Sequence, residues 1–261
     1  MTVKKKAFIQ GCIGVALVLI LWTLASVTGL FGKMDRETAA MLFPLPSAVA
    51  EELAEMLQSG YLLFNLWVSM KRVLIGFAIA VGIGLPVGIL IGASETVHNI
   101  VYPLIRFVSP IPGVAWVPLA ILWFGLGNSA AIFIIVMGSL SPIIVNTYQG
   151  MKNVDQRLYH VLDIMEAGWP ERIRYCVIPG IMPYVLAGFR LGLGFAWRVV
   201  IAAELVGVPR GMGYVLSVGR STGDTAATLI VIITLGAVMI FMEEVLFRAI
   251  ERHTNKWKIM E

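Results

Sequence analysis

Charge is scarce in this chain: Asp, Glu, Lys and Arg make up 14% of its 261 residues, and the mean hydropathy is +0.85. Apolar runs of about 20 residues match the hydrocarbon thickness of a bilayer, so a soluble domain is excluded. Cysteine is nearly absent. Cys12 lies in an apolar run and Cys176 in a polar segment, which implies no disulfide framework. His98, His160 and His253 are too scattered for a metal motif. A phosphate loop of the form GxxxxGK followed by Ser or Thr is missing, which argues that the chain is not itself an ATPase. Internal repeats, common in secondary transporters, are missing too, and only one apolar run is clearly broken. A cleavable signal is also disfavoured. Lys4, Lys5 and Lys6 precede an apolar run from Ala7 to Leu30 that is too long for a signal h-region and lacks a small-residue cleavage site, so a retained anchor helix is expected.

What is present predicts an all-α, polytopic membrane protein with six transmembrane helices, in one domain over 1–261. The spans are expected at about 7–30, 68–93, 100–124, 129–147, 178–206 and 225–248. Lys4 to Lys6, the 148–177 segment (Lys152, Arg157, Arg172, Arg174) and the tail (Arg248, Arg252, Lys256, Lys258) hold most of the basic residues. The alternate loops hold Lys33, Arg36, Arg210 and Arg220, with Lys71 and Arg72 near the start of the second span. Positive-inside bias therefore places both termini in the cytoplasm. The net charge of +4 reads as topogenic, not as a nucleic-acid footprint.

Several stretches carry more detail. In FPLPSAVAEELAEML, Ser47 can cap a short helix whose Val49, Leu53, Met56 and Leu57 form an apolar stripe on the outer membrane surface. Ala80, Gly84, Gly88 and Gly92 recur every four residues and predict a smooth groove for a second helix. The third span contains Pro103, Pro110, Pro112 and Pro118, each removing a backbone donor. Broken backbone at membrane depth must be buried in protein or line a wet cavity, so Pro112 and Trp116 mark either a pathway or a kinked helix. The fifth span carries Arg190, Arg198 and Glu204. Each central charge costs roughly 2.5 to 3.5 kcal/mol, so this helix should face a bundle interior or an aqueous cavity.

Arg190, Trp197 and Glu204 fall seven residues apart and share one stripe, whereas Arg198 points about 80° away from Arg190. Arg190 and Glu204 are roughly 21 Å apart along the helix, so each needs another partner. Interhelical hydrogen bonding and a pathway role both fit them. Arg198, deeper in the span, is a candidate to meet an anionic solute, since a guanidinium presents a planar donor fork; a backbone carbonyl or a second subunit's glutamate would satisfy it equally. Glu243 and Glu244 do not require acid chemistry, because Glu244 and Arg248 make an ordinary i,i+4 pair.

Between the fourth and fifth spans, Leu158, Val161, Leu162 and Met165 mark a short helix that Gly168 can terminate, and Pro170 can open a second. Glu171 and Arg174 then complement that helix's dipole. A cytoplasmic helical hairpin is expected.

At this point the chain resembles the membrane permease subunits of ATP-binding-cassette importers of the nitrate, sulfonate and taurine type. The likeness rests on LPSAVAEEL, SMKRVLIGFAIAVGIGLPVGILIG, PIPGVAWVPLAILWFGLG, SPIIVNTYQGMKNVD, VIPGIMPYVLAGFRLGLGFAW and AAELVGVPRGMGYVL. The resemblance implies the type I importer permease fold and makes 148–177 the coupling-helix loop that docks on a cytoplasmic ATPase, with Asp163, Glu166, Ala167, Gly168, Trp169, Pro170, Glu171 and Arg172 at the contact. Pro179 and Pro183 match the family's prolines, and counting back from Pro179 its loop glycine falls at Glu166. Implied partners are a second copy of the permease, two ATPase subunits that carry ATP and Mg, an extracytoplasmic binding protein and the lipid of a prokaryotic inner or plasma membrane. No cofactor on this chain is implied. The solute would be a small anion such as a sulfonate, taurine, nitrate or bicarbonate; relatives with the same blocks also suggest a pyrimidine precursor or another small organic compound. The polar stretch GVPRGMGYVLSVGRSTGDT reads as a plain loop or as a surface for the binding protein.

Overall fold

The computed structural model describes residues 3–28 and 41–247, and every regular element among them is helical. Lys33, Arg36, His253 and the basic tail from Arg248 onward lie outside the described residues. Among the described residues five helices are long and apolar enough to cross a membrane, and a bent pair supplies a sixth crossing if counted as one span. The helix α1 (Val3–Thr28) exposes Ile13, Val15, Leu17, Val18 and Ile20 around its circumference, as a helix solvated by lipid does. Trp22 Nε1 and Ser26 Oγ donate to the carbonyls of Pro44 and Phe43 at 3.1 and 2.7 Å, tying α1 to the segment before α2 (Pro46–Gln58).

Ser47 does not cap α2. The N-cap is Leu45, which offers no side-chain acceptor, and Pro46 in the first turn supplies the helical φ. Val49 and Met56 are buried and Leu57 is exposed, because α2 packs on other helices of the protein.

The helix α3 (Tyr61–Ala93) starts seven residues before the expected 68, so Arg72 lies about three turns into it instead of near its start. The third span is broken where its prolines cluster: α4 (Glu95–Val108), a 3-10 turn (Gly113–Trp116) and α5 (Val117–Phe124) follow one another with a bend of 93°. Pro110 and Pro112 lie between the two helices, where neither has an N–H to continue the helical ladder; Ser109, just before Pro110, still has helical φ and ψ of −54° and −40°. Pro103 is tolerated within α4, and Pro118 falls in the first turn of α5.

The helix α6 (Asn128–Lys152) is the axis of the bundle and packs along both α3 and α9 (Ile178–Gly207). The expected groove is its seat, extended one step further to Gly76. A Cβ built on Gly76, Gly84 or Gly88 would lie 2.6, 2.9 or 2.6 Å from Ile135 Cγ2, Ile143 Cγ2 or Thr147 Cβ, and one on Gly92 would collide with Met151. On the far side, Gly188 and Gly192 of α9 take Asn146 and Ile143, and Gly150 of α6 takes Tyr184. Two glycine seams thus clasp one helix, the arrangement that lets apolar helices associate in lipid through close packing.

After α6 come α7 (Gln156–Ile164), α8 (Trp169–Arg172) and a π-helical turn (Ile173–Val177) that leads into α9. The stretch expected as loop after α9 contains α10 (Met212–Thr222), and α11 (Thr225–Phe241) continues as a π-helical turn to Phe247. Val215 of α10 is buried with Val49, Met56, Ala227 and Ile230. Cys12 is exposed, Cys176 is buried and both are free thiols.

Gly88→Ala should destabilise the bundle by about 1–3 kcal/mol, because Thr147 and the Ile144 carbonyl leave no room for a methyl. Gly82→Ala, with open space around it, should leave stability unchanged or raise it. Thermal unfolding of the two variants in detergent compares them directly.

Candidate functional site

Glu204 lies near the end of α9 and is buried, with 1% of its surface exposed. The long apolar face of α3 brings Arg72 against it, and Arg72 Nη1 lies 2.6 Å from Glu204 Oε1. The guanidinium also donates to Asn128 Oδ1 and to the Arg210 carbonyl, both at 2.7 Å. Ser69, one turn before Arg72, donates to Glu204 Oε2 at 2.8 Å. The remaining acceptors of this cluster receive the start of α10. The N–H groups of Gly211, Met212 and Gly213 donate to Asn65 Oδ1, Ser69 Oγ and Glu204 Oε2 at 2.9, 2.8 and 2.9 Å.

A helix N-terminus has orphan N–H groups that a nearby acceptor satisfies. Here α10 takes all three acceptors from α3 and α9, and one of them is an anion at its positive end. Glycine is required at both flanks of the carboxylate. Gly211 has φ +122°, and a Cβ there would sit 2.5 Å from all three atoms of the Glu204 carboxylate, while one on Gly213 would sit 2.6 Å from Glu204 Cβ. At the same end of the bundle, Glu52 on α2 has its carboxyl held above the ordinary range by partial burial and by the charges of Asp224 and Glu55. Asp224 itself caps α11 through Ala227 N–H at 2.9 Å.

The break in the third span borders a second feature. A cavity of about 290 Å³ is lined by Ser109, Pro112, Gly113, Ser141, Asn146, Phe195 and Val199, among others. Arg198 is exposed and stands over the Phe195 ring, 5.9 Å from its centre. The expected pathway residues therefore separate. Pro112 lines the cavity and Arg198 stacks on one of its walls, while Trp116 packs edge-on to Phe133 with centroids 6.4 Å apart. Trp197 is buried and donates from Nε1 to the Leu235 carbonyl at 3.1 Å. Glu204 is enclosed in the cluster with Arg72, and Arg190 is half-buried and has partners of its own. Arg72, Ser69, Asn65 and Asn128 were not expected as site residues; in the sequence Arg72 reads as a charge at a span's edge.

The third feature is the hairpin of α7 and α8. Asp155 Oδ1 accepts from Arg157 N–H at 2.8 Å and starts α7. Gly168 does not end it. Two bonds close the helix earlier, Glu166 N–H to the Asp163 carbonyl at 3.1 Å and Ala167 N–H to the Leu162 carbonyl at 2.9 Å, with Glu166 at φ 51°. This is a Schellman closure with Glu166 in the left-handed position that glycine usually takes, at a cost of roughly 1–2 kcal/mol. The loop glycine implied by the resemblance falls on this same residue. Arg172 braces the turn, with Nη2 2.7 Å from Asp163 Oδ1 and Nε donating to the Ala167 carbonyl at 3.1 Å. Glu171 folds back so that its Oε2 would lie 2.7 Å from a Cβ on Gly168. Pro170 falls in the first turn of α8, as expected for a helix start. Of the expected apolar stripe, Leu162 is half-buried, whereas Leu158, Val161 and Met165 are exposed, as is Ile164.

Glu204→Ala should destabilise the protein by about 3–5 kcal/mol, because it strands a buried guanidinium. Joint replacement of Arg72 by Met and Glu204 by Leu should recover much of that loss, as read by thermal unfolding in the same detergent.

Residues 84–256 match the family described as binding-protein-dependent transport system inner membrane component. The chain is 30% identical to the putative aliphatic sulfonates transport permease protein SsuC of Bacillus subtilis (strain 168), over 98% of this chain and 90% of that protein. It is also 30% identical to the taurine transport system permease protein TauC of Escherichia coli (strain K12), over 92% and 86% of the two chains. Among solved structures it resembles a chain of the MetNI methionine ABC transporter in an inward-facing conformation, with a TM-score of 0.61, 18% identity and coverage of 74% of this chain and 95% of that one. That likeness concerns the fold.

Proposed function

This chain belongs to the family of binding-protein-dependent transport system inner membrane components, and we propose that it forms the translocation pathway of an ATP-driven importer for a small anionic solute of the sulfonate and taurine class. The observation that carries this reading is the braced hairpin of α7 and α8, which presents Val161, Ile164 and Met165 outward at the end of a membrane bundle. A large apolar group exposed on a rigid polar projection calls for a protein partner. The partner is the ATPase subunit. It holds ATP and Mg, and closure of two such subunits moves the hairpin and with it α9, to which the π-helical turn joins it.

A second copy of the chain completes the pathway, since six crossings make half of it and closed twofold pairing is the common solution. The hairpin, the N-terminus and the C-terminus lie in the cytoplasm of a prokaryotic cell, in accordance with the basic residues on those segments. The opposite end, where α2, α10 and the Arg72–Glu204 cluster meet, receives the solute from an extracytoplasmic binding protein. Within the bundle, the cavity at the third-span break and Arg198 beside it form the solute's route, with the guanidinium as the anion's contact.

Two experiments test this. A cysteine at Ala167 should crosslink to the co-expressed ATPase subunit; crosslinks to the binding protein instead would reverse the topology. Arg198→Ala should lower uptake roughly tenfold, about 1.4 kcal/mol of interaction, with the assembled complex intact, and unchanged uptake would take Arg198 off the route.

A further inference from the structure

Glu166 sits where three local effects oppose it. Its backbone is left-handed, which disfavours any residue with a Cβ. Its carboxylate stands just past the C-terminal end of α7, where the helix dipole presents partial negative charge. The nearby cation is engaged elsewhere, since Arg172 pairs with Asp163 and donates to the Ala167 carbonyl. Among the described residues the Glu166 side chain has no hydrogen bond or ion pair, and it is exposed. Glycine or asparagine would close the same turn without these costs. Beside it, Ile164 and Met165 are 84% and 70% exposed, so the acid lies at the edge of the apolar tip.

We propose that Glu166 is a partner-recognition residue: its carboxylate pairs with a Lys or Arg side chain of the ATPase subunit, while Ile164 and Met165 seat in an apolar recess next to that base. The inference rests on the hairpin being the ATPase contact and adds which side chain confers electrostatic selectivity. An anion held at a fixed, unfavourable position inside its own chain gains most from a cation supplied by a partner. As the hairpin seats, water leaves the rim and the pairing strengthens. The side chain would thus set the association rate and its salt dependence more than the final area of contact.

The test measures ATPase binding to the full permease in detergent or nanodiscs at several salt concentrations. Glu166→Gln keeps the size and the backbone demand but removes the charge, and Glu166→Gly removes both. Both variants should bind the ATPase roughly tenfold more weakly at low salt and show a flatter salt dependence, with Glu166→Gly also melting at a higher temperature. Glu166→Lys should weaken binding further, and a charge-reversed base on the ATPase should rescue it. The Ala167 cysteine crosslink separates the two levels of the argument. If that crosslink forms while Glu166→Gln binds with unchanged affinity and salt dependence, the role of Glu166 is refuted and docking stands. If no crosslink forms in the otherwise unaltered protein, docking fails and the inference falls with it.

Discussion

Two opposite charges buried at one end of an otherwise apolar bundle organise that end. Arg72 and Glu204 come from helices that the chain separates by 132 residues, and neither could stay charged in an apolar interior alone. Their pairing by itself is a weak source of stability, since desolvation offsets much of the Coulomb attraction. Its larger consequence is geometric. The pair uses its remaining donors and acceptors on Ser69, Asn128, the Arg210 carbonyl and Gly213 N–H, so α3, α6, α9 and the start of α10 share one network. Ser69 and Asn65 take the other two N–H groups of α10. A polar, glycine-rich stretch with little helix-forming tendency is thereby made into a helix, because its first turn is satisfied by residues far away in sequence.

The rest of the bundle provides the rigidity that this network needs. The helix α6 lies between two glycine seams, and its Asn128 end reaches the Arg72 guanidinium. The break between α4 and α5 opens the cavity beside α6 and α9, so the proposed solute route runs next to the axis that both seams hold. At the hairpin end, Arg172 makes the α7 and α8 turn a unit, and the π-helical residues 173–177 connect it to α9. The same helix that carries Glu204 at one end is therefore continuous with the hairpin at the other. A displacement of the hairpin has a short path to the opposite end, through α9.

Much of this was legible in the sequence where one local rule decided the outcome. Apolar run length located most spans, the four-residue glycine spacing located the seat of α6, and Pro170 marked the second hairpin helix. The failures occurred where a partner distant in sequence decided. Lys71 and Arg72 looked like the edge of a span, whereas the helix begins at Tyr61 and buries Arg72 against Glu204. Glu204 was expected to need a partner, but nothing in periodicity could identify Arg72. The four prolines marked the third span as broken, lining a pathway or kinking the helix, but not the size of the bend, 93°. Gly168 looked like the helix stop by residue type, whereas the left-handed position fell on Glu166.

The central claim is that the Arg72–Glu204 cluster, not the intrinsic tendency of the segment, holds the start of α10. Hydrogen exchange of the backbone amides at Gly211, Met212 and Gly213 tests it most directly, since all three N–H groups are assigned to side chains of α3 and α9. The account predicts protection in the purified protein comparable to that of mid-helix amides in α3, and loss of that protection over 211–213 when Arg72 is replaced by Ala while the seam around Gly88 stays protected. Exchange at 211–213 as fast as in an exposed loop, or protection indifferent to Arg72, would contradict it.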